Sequence, residues 1–302
     1  MKTDAILAVG EVLWDILPAG KQLGGAPSNF TFHCRSLGAD ARLVSRVGGD
    51  ELGREVLERF RLLDLPTDLI QVDPEAPTGT VGVSLGADGQ PRYEIREGVA
   101  WDRIEAEAAA LEAARRADAL CFGSLAQRGA ASRGAIRAIV GAARADAIRI
   151  LDVNLRHPRV DRDVVAGSLE RANALKLNDQ ELPELAGMFG LSRGAREAIE
   201  GLARRFGLVL VALTRGAGGS LLWAEGDWSD HPGCPAEVVD TVGAGDAFTA
   251  ALVVGRLGGR PLDAINRHAN EVAAFVCSRP GGTPALPEGL RRVGPSSTED
   301  RP

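Results

Sequence analysis

The stretch Val238–Phe248, VVDTVGAGDAF, puts a turn almost free of side chains in front of an apolar run, Ala247–Leu257 (AFTAALVVGRL). Asp240 and Asp246 frame the turn. The run has helical length and composition, so Gly243, Ala244 and Gly245 fall at a helix N-terminus. First-turn backbone N–H groups there lack intrahelical acceptors, and the helix dipole favours an anion. Small residues let a phosphate approach those amides closely. The plainer reading is a cap: Asp240 or Thr241 satisfies the first amides, and Asp246 complements the dipole. The turn alone does not separate the two.

Outward from this turn, short apolar runs alternate with longer helical ones. Buried strands are read at 5–10, 41–48, 117–124, 147–154, 174–178 and 208–214. Helices are read at 27–37, 50–63, 104–116, 130–145, 194–206, 244–257 and 262–278. This alternation implies an α/β fold, a mostly parallel sheet with helices on both faces. Such sheets bind ligands beyond the carboxyl ends of their strands. Two segments break the rhythm. Residues 78–96 (TGTVGVSLGADGQPRYEIR) alternate around Asp88-Gly89, a hairpin signature, and 11–25 is non-helical and rich in turn residues. Together they read as a small β layer standing off the main sheet, a lid; the alternative is an extra edge hairpin. The expected organisation is one α/β domain over 1–290, with a discontinuous β lid from about 11–25 and 78–100 and a polar, disordered tail over 291–302.

The bulk numbers fit a soluble globular protein: 302 residues, 45% hydrophobic and 25% charged. A net charge of −6 argues against a general nucleic-acid binder, while leaving room for a local basic pocket. Only Lys2, Lys21 and Lys176 are lysines, which singles out the internal Lys176. Cys34, Cys121, Cys234 and Cys277 are far apart, without metal spacing, and read as reduced thiols of a cytoplasmic protein. Glu11 and Asp15 interrupt the first apolar run and no cleavage site follows, so a buried strand is expected there rather than a signal peptide. No run is long enough for a membrane span.

Other motifs fall at expected strand ends. GGAPSNF (24–30) opens a helix; Asn29 and the preceding Asp15 supply an amide and a carboxylate, good partners for sugar hydroxyls. Capping by Ser28 or Asn29 is the alternative. In KLNDQEL (176–182), which ends a strand and starts a helix, Asn178 and Glu181 either offer oxygens to Mg²⁺ through water or form a capping box. In LTRGAGGS (213–220), Thr214, Gly216 and Gly219 either let a nucleotide lie on backbone or make a glycine turn. Arg156 in DVNLRHP (152–158) could meet a phosphate or sit at the surface. No G-x-x-x-x-G-K-[ST] occurs, and Phe248 stands where G-x-G-x-x-G needs its third glycine.

Taken jointly, 24–53 and DTVGAGDAF (240–248), with KLNDQE and LTRGAGGS, resemble the PfkB family of carbohydrate kinases with its ribokinase-like fold. The likeness runs to about Pro287; within the family, GEVLWDILP (10–18), FGSLAQR (122–128) and DVNLRHP look most like bacterial fructokinases. The resemblance implies phosphorylation of a sugar hydroxyl by ATP with Mg²⁺. It makes Asp246 the catalytic base and Gly243, Ala244 and Gly245 the anion hole. Asp15, Gly25, Asn29, Arg96 and Gln127 match sugar-binding positions. Lys176, Asn178, Thr214, Gly216, Gly219 and Asn270 match the nucleotide side, and Asn178 with Glu181 the pair linked to Mg²⁺. A monovalent cation, K⁺, is also implied at Asp240 and the Val242 carbonyl, with carbonyls near Val276, Arg279 and Gly281; Ala285 replaces a serine oxygen of some relatives. Homodimers are common in the family, and Val12, Leu13 and Trp14 would either serve one or cover the sugar.

Fructose is the expected acceptor. Ribose, 2-keto-3-deoxygluconate and nucleosides remain open, while retention of Asp246 with the full anion turn argues against a non-catalytic sugar-sensing relative. A nicotinamide-dependent oxidoreductase is disfavoured by the missing fingerprint.

Overall fold

The computed structural model describes residues 3–17, 20–85, 91–156 and 161–291. The first strand, β1 (Ala5–Val9), shows why the sheet is central. Ile6 and Ala8 enter one core cluster, Leu7 and Val9 the other, so the strand is buried on both faces. The remaining strands are β2 (Leu13–Leu17), β3 (Gly20–Gly24), β4 (Asp40–Gly48), β5 (Ile70–Asp73), β6 (Gly79–Leu85) and β7 (Pro91–Ile95). There follow β8 (Ala119–Gly123), β9 (Ile148–Asp152), β10 (Ala174–Asn178), β11 (Leu210–Thr214), β12 (Ser220–Ala224) and β13 (Asp227–His231).

Nine strands form one sheet in the order β13-β12-β11-β10-β9-β8-β1-β4-β5. From β11 to β5 every neighbouring pair is parallel; β12 and β13 extend the edge antiparallel. The parallel strands therefore end along one edge. Register lines up the motif residues there: Gly123 opposite Asp152, Asp152 opposite Lys176, and Asn178 opposite Thr214.

Helices α1 (Ala26–Ser36), α2 (Glu51–Leu62), α3 (Ala108–Arg116), α4 (Ala130–Gly141) and α5 (Arg162–Leu169) precede α6 (Glu181–Phe189), α7 (Ala195–Phe206), α8 (Ala244–Leu257) and α9 (Leu262–Cys277). Helices α3 to α7 cover one face, and α1, α2, α8 and α9 the other. The helix expected from 104 starts at Ala108, because Ala100–Arg103 forms a 3₁₀ turn and Ile104 is extended.

The second sheet has the order β3-β2-β6-β7. Strand β6 pairs with β2, parallel, and with β7, antiparallel, so the 78–96 segment joins the 11–25 segment and not the edge of the main sheet. The Asp88-Gly89 turn and the polar tail beyond Arg291 lie outside the described residues. Val12, Leu13 and Trp14 are buried, against the expectation of exposed apolar contacts for a second copy. Packing of β2 draws them in: Trp14 Nε1 donates to Leu52 O at 3.0 Å. All four cysteines are free, and no helix among the described residues is long and apolar enough to cross a membrane.

Candidate active site

Helix α8 starts at Gly243, which has φ 77°; a Cβ there would overlap the Gly282 backbone. Only glycine fits. No side chain caps α8, so its first-turn amides stay available to a ligand. Neither expected cap acts on it. Asp240 instead accepts from Val242 N and Gly281 N, each at 3.0 Å, strapping the turn to the loop at 281. Thr241 contributes only its carbonyl, 3.4 Å from Ala244 N.

Asp246 sits in the first turn, partly accessible, and its Oδ2 accepts from Asn29 Nδ2 at 2.9 Å. Burial and then the Asp152 charge push its pKa up to about 6, while the Asn29 bond, Lys176 and Arg156 oppose the rise. Behind the turn, Lys176 Nζ pairs with Asp152 Oδ1 at 3.1 Å, both side chains buried. Burial disfavours charge on Lys176, but Asp152, Asp246 and Glu181 outweigh it and hold its pKa above the ordinary lysine value. A Cβ on Gly245 would stand 3.0 Å from Lys176 Nζ. The ammonium thus lies directly behind the anion turn. The Thr249 hydroxyl, 2.8 Å from Gly245 O and 3.2 Å from Asp152 Oδ2, ties the two together.

Helix α1 brings up the other wall. Gly25 has φ 105°, and a Cβ on it would come 2.5 Å from Glu11 O. Asn29 follows one turn later, and His33 one turn after that. His33 Nε2 bonds Gly282 O at 2.9 Å, the same residue that abuts Gly243. One face of α1 therefore holds both Asp246 and the turn beside it. Asp15, on β2, overlooks the same space: burial raises its pKa to about 6, Arg156 opposes and Asp240 reinforces. The recess among these elements is lined by Glu11, Pro27, Ser124, Asp152, Asn154 and Asp246. A more open hollow, lined by Arg35, Asp64, Ala285 and Arg291 among others, gathers none of the motif residues.

Several expected residues have other work. Gln127 is buried, its Nε2 donating at 2.8 Å to Gly123 O and to Ser168 Oγ, so it fastens β8 to α5 and not a sugar. Glu181 is 4% exposed; its Oε1 accepts from Leu155 N and its Oε2 from Asn178 N, both at 2.8 Å. Asn178 Oδ1 accepts from Gln180 N and Glu181 N at 2.9 Å. This is the capping box, with each Glu181 oxygen accepting from a main-chain amide. Among the described residues no group of three or more His, Cys, Asp or Glu is arranged to hold a metal. Arg96 is exposed just after β7.

In LTRGAGGS, Thr214 ends β11, and Gly216 and Gly219 both have positive φ, 54° and 77°. Asn270 is buried, its Nδ2 donating to Ser220 Oγ at 2.7 Å, which braces the residue after Gly219. Sequence reading missed Asp152, Thr249, Glu11 and His33 as members of the site. Their only signal is polarity inside apolar runs: Glu11 at the end of β1, and His33 four residues after Asn29.

The chain has counterparts among known proteins. The family model for the pfkB family carbohydrate kinases matches residues 13–289. A fructokinase of Klebsiella pneumoniae is 30% identical over 265 residues, 83% of this chain and 83% of its own. The structure of a fructokinase with bound ATP from Xylella fastidiosa has a TM-score of 0.82 at 23% identity, covering 93% of this chain and 94% of that one. A candidate ribokinase II from E. coli, in complex with ATP and Mg²⁺, has a TM-score of 0.80 at 20% identity, over 93% of this chain and 94% of that one. The chain belongs to the pfkB family of carbohydrate kinases.

Proposed function

We propose that the protein transfers the γ-phosphoryl group of ATP, taken as its Mg²⁺ complex, to a hydroxyl of D-fructose. One observation carries the transfer chemistry: the Asp246 carboxylate, held by Asn29, stands in the first turn of a helix whose amides no side chain caps. Phosphoryl transfer needs positioning and charge stabilisation more than covalent chemistry. Asp246 orients the acceptor hydroxyl and takes its proton as the sugar oxygen bonds to phosphorus. The bond from that phosphorus to the bridging oxygen breaks, and ADP leaves. The amides of Gly243 to Gly245, with Lys176 behind them, meet the charge in transit. Asp15, Gly25 and Asn29 hold the sugar, with Arg96 at the rim. Thr214, Gly216 and Gly219, braced by Asn270, receive the nucleotide.

The small sheet acts as a lid over the sugar, excluding water and so limiting ATP hydrolysis. The Asp240 strap to Gly281 is the place for K⁺, with loop carbonyls as ligands. Activity that does not respond to a K⁺ titration removes that cation.

Fructose as the acceptor is supported by the Klebsiella relative. The test is ADP release with fructose, ribose, 2-keto-3-deoxygluconate and nucleosides. Fructose-dependent turnover is expected. Preference for another acceptor overturns the fructose assignment, and no turnover with any of them overturns the reaction.

A further inference from the structure

Glu11 follows β1 and Gly10 and is 3% exposed. Its own backbone amide and that of Ala26 act on the carboxyl. One side of the group therefore serves the start of α1, whose N-cap Gly25 offers no side chain. The other oxygen, Oε2, is buried without a hydrogen-bond partner. A buried polar atom left unmet costs roughly 1–3 kcal/mol, so capping α1 does not account for it. Glu11 lines the recess that also holds Asp246. From the packed elements, Asp246 on α8, Asp152 on β9, the Cys121 thiol on β8 and Arg156 after β9 surround this space. Three of these four supply no positive charge. Burial above all, with Asp246 reinforcing and Arg156 and the amides opposing, raises the Glu11 pKa to about 7. A neutral hydroxyl suits such a group, because it bonds a carboxylate or a carboxylic acid equally well in geometry.

We propose that Glu11 is an acceptor-binding residue whose Oε2 takes the hydrogen of a second sugar hydroxyl, next to the one that faces Asp246. This rests on the sugar-kinase reading. Beside Asp15, it gives the enzyme two further carboxyls on one acceptor, Asp246 to remove a proton and Glu11 to fix which hydroxyl is presented.

Glu11→Gln keeps size, and its carbonyl oxygen still accepts from Ala26. For fructose, or whichever acceptor the screen turns over, E11Q raises the acceptor KM about tenfold, the scale of a hydrogen bond to a charged group. The ATP KM stays within about twofold, a split expected of a residue that touches only the acceptor. Among the monodeoxy forms of that acceptor, one lacks the contacting hydroxyl, and with it wild type and E11Q become equal. The proposal is overturned if acceptor and ATP kinetics change together, or if the ratio of wild type to E11Q is the same for every monodeoxy form. If E11Q does not fold, Glu11→Asp decides by the same comparison, since it keeps the carboxylate but draws it back from the hydroxyl. A ratio of wild type to E11D that is the same for every monodeoxy form overturns the proposal. A wild type inert with every acceptor is a different result, since it strikes at the kinase reading itself and takes the proposal with it.

Discussion

Asp246, the proposed base, stands in a place that disfavours its charge. Burial and Asp152 raise its pKa to about 6, which leaves the carboxylate predominant at neutral pH. The carboxylate is the active form, so kcat/KM falls as pH drops through about 6. Asp246→Asn keeps the size and the contact with Asn29 but removes the proton acceptor. It lowers kcat by about 10²–10⁴, the usual worth of a general base, while ATP binding measured by calorimetry persists. Near-normal kcat would take Asp246 out of the reaction. Gly243→Ala fails differently, because its Cβ meets the Gly282 backbone at positive φ. It lowers stability as well as kcat, which a thermal melt beside the kinetics separates. The glycines and Asp246 were legible because one local segment holds them. Asn29 was legible as a polar residue in an apolar turn, but its bond to Asp246 spans 217 positions and local spacing cannot show it.

The central strands and the hairpin of the small sheet were legible, whereas α5 was not read despite its buried face. Strands β1, β8, β9, β10 and β11 read as continuous apolar runs because helices cover both their faces. Strand β13, DWSDH, is an edge strand with mixed exposure and carries too few apolar side chains to announce itself. Strand β5 has four residues. Helix α6 was read correctly at its start, yet one spacing, Asn178 to Glu181, fits both a cap and a metal pair. The hydrogen bonds show the cap. Because Asn178 caps α6, Asn178→Ala costs about 1 kcal/mol of stability, measured by denaturant unfolding. The Mg²⁺ concentration for half-maximal activity stays unchanged. A large shift in that concentration with stability intact would return the pair to the metal.

Across the whole molecule, the parallel topology collects acids at one edge. Glu11 titrates at about 7, and Asp15 and Asp246 at about 6, each raised chiefly by burial. Burial with the Asp152 charge raises Glu181 in the same direction. As pH falls from about 8 to about 5, the folded protein takes up these protons before the unfolded chain does, so each acid adds stability. His33 works against them. Burial lowers its pKa from 6.5 to about 4, so the unfolded chain is protonated first and stability is lost over that interval. Against burial, the Thr78 hydroxyl and main-chain amides hold Asp50 low, and amides with Arg46 and Arg103 hold Asp73 low, so both count only below this window. The acids outnumber the histidine. The ligand-free protein is therefore expected to melt at a higher temperature near pH 5.5 than near pH 8, roughly the interval these titrations span. Glu11→Gln flattens the upper part of that curve, since its titration is the highest. A melting temperature that is flat or falls on acidification would show that the acids are solvated or paired in solution. The site would then lack the electrostatic strain that a bound sugar is expected to relieve.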